Sequence, residues 1–450
     1  MIGGPPLKTA AMNQGPPAGD APGATALPKV MWRLVPFSIL LFFVQMTDKT
    51  NVSFAALQMN QQLRFTPEIY GFGAGIFFLG AFLFEVPSNL ILLRVGARRW
   101  LARIMITWGL IVVALGWVKS PSSFYVLRFL LGVAEAGLLP GIMYHLSNWV
   151  PEQRRGIATS WVLATAAIGP MLGAPLATGL MEVHGLGFQG WQWLFILEGT
   201  ATVGVGLLTL AYLPTTPQQA KWLNPVEQKW LTDTLARELA AKERAGMTRL
   251  SAGFINSRVL LALAIGFFLL FITFGTIMWM PQMIKAFGGL TNMQVGLLST
   301  LPFACGAAGM IYCGRSSDRT QGRRRYVVGA AALSAIGFAC AGLASSPLWT
   351  FVGLCLGMTG ILSTFGVFWA YAGDLLGGPA AASGLAFINT SSQLGAFLGP
   401  ICVGYLRQAS QTFNSGLLLL SACAVATALI ALSLRNTRAP EAAVISQALV

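Results

Sequence analysis

Charge is scarce in this chain. Of 450 residues, 29 are Lys or Arg and 15 are Asp or Glu, so charged residues make up 10% of the sequence. A soluble protein carries about 25%, and an ordinary soluble domain is thereby excluded. Histidine is scarcer still, with two residues, and no nucleophile elbow, Walker loop, dinucleotide fingerprint or zinc-helix motif occurs. The sequence therefore reads as a non-enzyme, with neither metal nor organic cofactor expected. The six cysteines, Cys305, Cys313, Cys340, Cys355, Cys402 and Cys423, are spaced in no zinc or redox pattern and read as small packing residues.

What the chain does have is apolar length. Hydrophobic residues make up 55% of it, and mean hydropathy is +0.66. Charge-free runs at 156–181, 259–284, 286–314, 327–373, 375–406 and 408–434 each exceed the ~20 residues that cross a bilayer. The reading is an all-α integral membrane protein with spans at 33–56, 68–93, 101–118, 122–146, 156–181, 191–213, 258–285, 291–314, 326–344, 347–373, 380–406 and 411–434. The expected divisions are a disordered tail at 1–30, a six-helix bundle at 31–213, a linker with a surface helix at 214–257, a second six-helix bundle at 258–434 and a tail at 435–450. In the linker, Asn224-Pro225-Val226-Glu227 has the form of a helix cap and first turn.

The net charge of +14 suggests no nucleic-acid partner, because the basic residues fall in short clusters between spans and not on one folded face. They orient the array instead. If both termini are cytoplasmic, 23 of the 29 Lys and Arg lie inside, including Arg94, Arg98, Arg99, Arg154, Arg155 and the run from Arg315 to Arg325. That is the bias that cytoplasmic loops show. A multi-pass cell-membrane protein follows, in the inner membrane if the source is Gram-negative, and a monomer is expected. The sequence also repeats itself: Gly96-Ala97-Arg98-Arg99 aligns with Gly322-Arg323-Arg324-Arg325 at an offset of 226, and Gly169 and Gly173 align with Gly395 and Gly399 at the same offset. Twelve spans in two pseudo-symmetric six-helix halves, with a site between them, form a transporter plan. The Gly71/Gly75, Gly169/Gly173 and Gly395/Gly399 pairs suit close helix packing.

The segment from Gly314 to Arg324 resembles the signature loop of the major facilitator superfamily, with one extra residue before its second glycine. Asp48-Lys49-Thr50-Asn51, Gly75 to Gly80 running into Phe84-Glu85-Val86-Pro87-Ser88-Asn89, Arg128 to Gly137, and Trp193 to Gly199 together resemble the anion:cation symporter branch. That branch carries sugar acids, dicarboxylates, phthalate-like aromatic acids and similar organic anions. The branch usually has Arg where this chain has Lys49.

Charged side chains inside a span are costly and should face a cavity and find partners. Arg128 and Glu135 are seven residues apart, hence on one helix face about 10 Å apart along the axis. The resemblance implies that Arg128 binds a substrate carboxylate bidentately, a task suited to its planar fork. Lys49 is expected to add a second positive charge, while Asp48 and Glu135 are the candidate proton sites. Glu85, Arg98, Asp318 and Arg324 are expected to form gate salt bridges, and Glu198 reads as structural. The second half, with Phe274 at the position 226 after Asp48, should supply an uncharged wall from Trp279, Thr300, Trp369, Tyr371, Asn389, Ser392 and Gln393. The resemblance assigns Asn389 to substrate. Tyr144 and His145 read as solvated rim residues.

The leading expectation is a symporter that imports an organic carboxylate with protons by alternating access. Its partners would be that anion, protons and the bilayer. Sodium coupling or anion exchange is the alternative within transport, and a transporter-like nutrient sensor is the alternative from another class.

Overall fold

The computed structural model describes residues 21–244, 257–320, 322–376 and 380–433. Of the tails expected at 1–30 and 435–450, residues 1–20 and 435–450 lie outside them. Apart from one isolated bridge between Gly185 and Phe188, the regular structure of the described residues is helical. The first half comprises α1 (Ala21–Leu63), α2 (Pro67–Val95), α3 (Ala97–Leu115), α4 (Pro121–Glu135), α5 (Leu138–Ser147), α6 (Glu152–Leu180) and α7 (Gly190–Tyr212). After the connecting helix α8 (Pro225–Arg244), the second half comprises α9 (Ser257–Ile277), α10 (Met280–Lys285), α11 (Asn292–Thr320), α12 (Arg323–Leu343), α13 (Pro347–Leu376), α14 (Ala380–Ser410) and α15 (Asn414–Ser433). Taking α4 with α5 and α9 with α10 as single broken spans, the described residues form twelve membrane-crossing segments. Ten are long and apolar enough to cross by length and composition alone. The other two are α14 and α3, the latter with Arg98, Arg99 and Arg103 in its first two turns.

Two of the expected continuous spans are broken, each with an identifiable cause. Pro140 has no N–H to offer the carbonyl of Ala136, four residues earlier. The chain turns there through Ala136 (φ −53°, ψ 128°) and Gly137, whose φ of +86° favours glycine. The orphaned Ala136 carbonyl accepts the Ser88 hydroxyl at 2.6 Å, and Trp100 donates its indole N–H to the same Ser88 oxygen at 3.0 Å. Ser88→Ala should therefore strand two polar groups in an apolar setting, at about 1–3 kcal/mol for each. The expected outcome is a lower melting temperature for the detergent-purified protein; an unchanged one would show that water replaces the hydroxyl. The second break, before Pro281, frees the carbonyl of Met278, which accepts the Tyr70 hydroxyl at 2.7 Å from the other half.

The 226-residue repeat appears in the packing. Arg98 Nε donates to the carbonyl of Leu210 at 2.8 Å, near the end of the first half's last helix, and Arg324 donates to Leu432 in the corresponding place on α15. Both cations thus satisfy carbonyls at a helix C-terminus, where the macrodipole is negative. The expectation that they bridge a gate is corrected on this point, since these bonds stay within one half. Gly169 and Gly173 lie against Met46 and Thr47 of α1, and Gly395 and Gly399 lie against the Phe267 and Phe271 carbonyls of α9. Each half thus packs its fifth span onto its first by the same device.

Two further expectations change. Residues 21–30, expected in a disordered tail, form the first turns of α1. They are held by a Lys29–Glu227 ion pair at 2.8 Å and by Trp230 against Gly23. Glu227 and Asn224 form the expected reciprocal cap of α8, at 2.8 and 2.9 Å. His145, expected on a solvated rim, is buried with its ring 6.0 Å from that of Trp149, because α5 resumes after the break packed against α3 and α6.

The halves meet mainly through α2 with α14, α6 with α11, and α1 with α10. Several of these contacts lie near the start of α2, the end of that helix away from Arg94. Tyr70 packs edge-on against Trp279 with centroids 4.9 Å apart, Gly71 lies against Pro400 and Gly404, and Gly75 against Phe397 and Ile401. Thr178 meets Met293 and Gly296 nearby.

Candidate functional site

The ionisable residues predicted within the spans converge on one region of the first half. Asp48, near the middle of α1, is 4% exposed and accepts the Trp108 indole N–H of α3 at 2.9 Å. Glu135, the last residue of α4, is 2% exposed and accepts the Gln45 amide at 3.1 Å on Oε2. Its Oε1 is buried without an N–H or O–H donor, and the Asp48 carboxyl stands within hydrogen-bonding reach of Glu135. Two carboxylates offer each other only acceptors, so a hydrogen bond between them forms only when one of them takes up a proton.

Lys49 is the cation of this cluster that remains partly exposed, and its charged neighbours are Glu135, Glu85 and Asp48. Arg128 is 1% exposed, and Asp48 and Glu135 are among its charged neighbours. Its fork is partly committed: Nε donates to the Gly73 carbonyl at 3.1 Å and Nη2 to that of Ala74 at 3.3 Å, with the guanidinium 4.8 Å from the Phe77 ring. Arg128 thus ties α4 to α2 as well as standing beside the two acids. Glu198, half-buried on α7, lies near Asn51 of α1.

The second half faces this cluster without an ionisable residue at the level of Asp48. Phe274 packs on Phe78 across the boundary, with ring centroids 4.3 Å apart. Asn389 and Gln393 are half-buried on α14. Asn389 reaches into the first half, its amide donating to Glu85 Oε1 at 3.3 Å, and Thr390 donates to Oε2 at 3.4 Å. The expected pairing of Glu85 with a loop arginine is corrected here: it lies ten residues short of the end of α2 and binds α14 instead. Asp318 does pair with an arginine, Arg323, at 3.6 Å, and Arg323 also donates to the carbonyl of Ala370 at 2.7 Å.

The remaining wall candidates divide. Thr300 lies between the halves, donating to the carbonyl of Met171 at 3.4 Å. Trp369 is half-buried and packs on Phe365 and Phe368, while Tyr371 is fully buried. Ser392 returns its hydroxyl to Ile388 in its own helix. Trp279 is not at the level of the charges: the break before Pro281 places it toward the opposite face, donating to Pro400 at 3.0 Å. Gln45 and Trp108 are partners of the acids that sequence reasoning misses. Gln45 is findable, since it lies three residues before Asp48 on one helical face, whereas the position of Trp108 depends on how α3 packs.

Two six-helix halves with opposed charges buried in one of them, facing an uncharged surface in the other, define a membrane transporter. Comparison with known proteins specifies which kind. The model of the Major Facilitator Superfamily matches residues 37–400, and the chain belongs to that family. It is 44% identical over 417 residues to an Agrobacterium vitis protein with the provisional name tartrate transporter, covering 92% of this chain and 95% of that one. It is 36% identical to the quinolone resistance transporter of Acinetobacter baumannii, covering 87% and 91%. Among solved structures, a D-xylose-proton symporter superposes with a TM-score of 0.74 at 15% identity, covering 90% of this chain and 98% of that one. The protein is thus a multi-pass membrane transporter and not an enzyme.

Proposed function

We propose that this transporter imports an organic carboxylate together with protons, and that tartrate is the first anion to test. The observation that carries the reading is the contact between the Asp48 and Glu135 carboxyls, with Lys49 and Arg128 beside them. While the site is empty, the two cations stabilise the ionised acids. A substrate carboxylate that engages Lys49 and the unused donors of Arg128 competes for that positive charge, so the acids then bind a proton more readily. Proton and anion are linked through shared cations. The tartrate name of a relative at 44% identity supports the anion class.

In this reading the arginine-rich face is cytoplasmic and both termini are inside. Gln393, Trp369 and Tyr371 would complete the substrate wall, and Asp318 with Arg323 would belong to the cytoplasmic gate. The test is calorimetric titration of the purified protein with tartrate, succinate and phthalate in buffers of different ionisation enthalpy. Binding of at least one anion with net proton uptake is expected. No binding by any of the three would overturn the carboxylate assignment, and binding without proton uptake would move the reading to sodium symport or exchange.

A further inference from the structure

Glu85 is an acid at the boundary between the halves whose partners are not arginines. From α14 it receives the Asn389 amide at 3.3 Å and the Thr390 hydroxyl at 3.4 Å, one on each carboxyl oxygen. From α1 the charged group facing it is Lys49. An amide N–H and a hydroxyl bound to the two carboxylate oxygens, with an ammonium nearby but not in direct contact, form an anion site, and in this structure its occupant belongs to the protein. Two of these groups are expected to serve the substrate as well, Lys49 in the proposed function and Asn389 by the family resemblance. A second carboxylate brought to these groups would share one positive charge with the first, and two carboxylates brought together repel.

We propose that Glu85 is a resident stand-in for the substrate: its carboxylate fills the anion subsite of the empty carrier, and a substrate carboxylate enters by displacing it from Asn389 and Thr390 beside Lys49. The inference rests on the proposed role of Lys49 and Asn389. Displacement has a mechanical consequence. The Glu85 contacts join α2 to α14, and these helices also pack through Gly71 and Gly75 against Pro400 and Phe397. Exchanging the resident carboxylate for a diffusible one releases a polar link between the halves at the moment the site fills. A merely structural tie would make a different demand. It would need only the hydrogen bonds, which a glutamine can reproduce, and it would be indifferent to the charge.

The experiment measures tartrate affinity at pH 7 by calorimetry on the purified full-length parent and on Glu85→Gln, Thr390→Val and Lys49→Ala. Removing the competing charge should tighten binding tenfold or more in Glu85→Gln. Removing one of its holds should tighten binding about threefold in Thr390→Val. Lys49→Ala should weaken binding at least tenfold. Glu85→Gln affinity within twofold of the parent, or weaker, overturns the stand-in while leaving the substrate assignment intact. If Glu85→Gln does not fold, Thr390→Val decides by the same criterion: tighter binding supports the stand-in, and unchanged or weaker binding overturns it. A parent that does not bind tartrate, or a Lys49→Ala protein that binds it as the parent does, removes the underlying assignment and the stand-in with it.

Discussion

Arg128→Ala is expected to abolish anion uptake, and Arg128→Lys is expected not to restore it. The guanidinium is fully buried and already directs Nε and Nη2 at the carbonyls of Gly73 and Ala74. Those two bonds fix its plane against α2, so its remaining N–H groups are held in one orientation at no further entropic cost. A lysine at this position would supply a point charge but neither the anchoring nor the parallel donors. Truncating one partner of a buried, hydrogen-bonded charge pair costs about 2–5 kcal/mol, roughly thirtyfold or more in affinity. Because Arg128 also ties α4 to α2, uptake alone would confuse binding with folding. The measurement is therefore substrate affinity on material whose elution and anion-free melting match those of the parent. Affinity within twofold of the parent in such an Arg128→Ala preparation would reduce Arg128 to an interhelical tie.

Much of this arrangement is legible in the amino-acid sequence. The number of spans follows from apolar length, and the two halves from an offset of 226 that relates Arg98 to Arg324, each donating to a carbonyl near the end of its half's last helix. The charged residues of the site are legible for an energetic reason: a carboxyl or guanidinium inside a span has no cheap place to be except near another charge or a cavity. Partners are harder to read, because helix rotation decides them. A contact such as Asn389 with Glu85 joins residues 304 positions apart, and nothing in the spacing of either helix specifies it. The break after Glu135 is an intermediate case. Pro140 is visible, and its missing N–H marks the Ala136 carbonyl as an orphan, yet only the packing of α2 shows that Ser88 fills it. The displacement of Trp279 toward the opposite face has the same origin in Pro281, since a broken span carries its side chains to a level that counting along a straight helix misplaces.

Glu135→Gln and Asp48→Asn should both lose accumulation driven by a proton gradient, and the two should differ in how they lose it. Glutamine at 135 retains an oxygen to accept from Gln45 and can donate its own N–H groups toward Asp48. The shared proton is thereby replaced by a permanent donor. Such a carrier should resemble the protonated form, bind the anion, and exchange it across the membrane, but it has no proton to release at the end of the cycle. Asparagine at 48 retains an acceptor for Trp108 but removes a negative charge from beside Lys49 and Arg128, which should also strengthen anion binding. In proteoliposomes without sodium and with the membrane potential clamped at zero, a difference of one pH unit is worth about 1.4 kcal/mol for each coupled proton, hence about tenfold accumulation for each. The parent should approach that ratio, while both variants should stop at equal concentrations inside and out. Counterflow of labelled against unlabelled anion should persist in Glu135→Gln. A parent indifferent to the imposed gradient would transfer the coupling to sodium or to a counter-anion. Accumulation by both variants against the anion's own gradient would show that the shared proton of Asp48 and Glu135 only holds the bundle together, leaving the half-buried Glu85 and Glu198, near Lys49 and Asp48 respectively, to take up the proton instead.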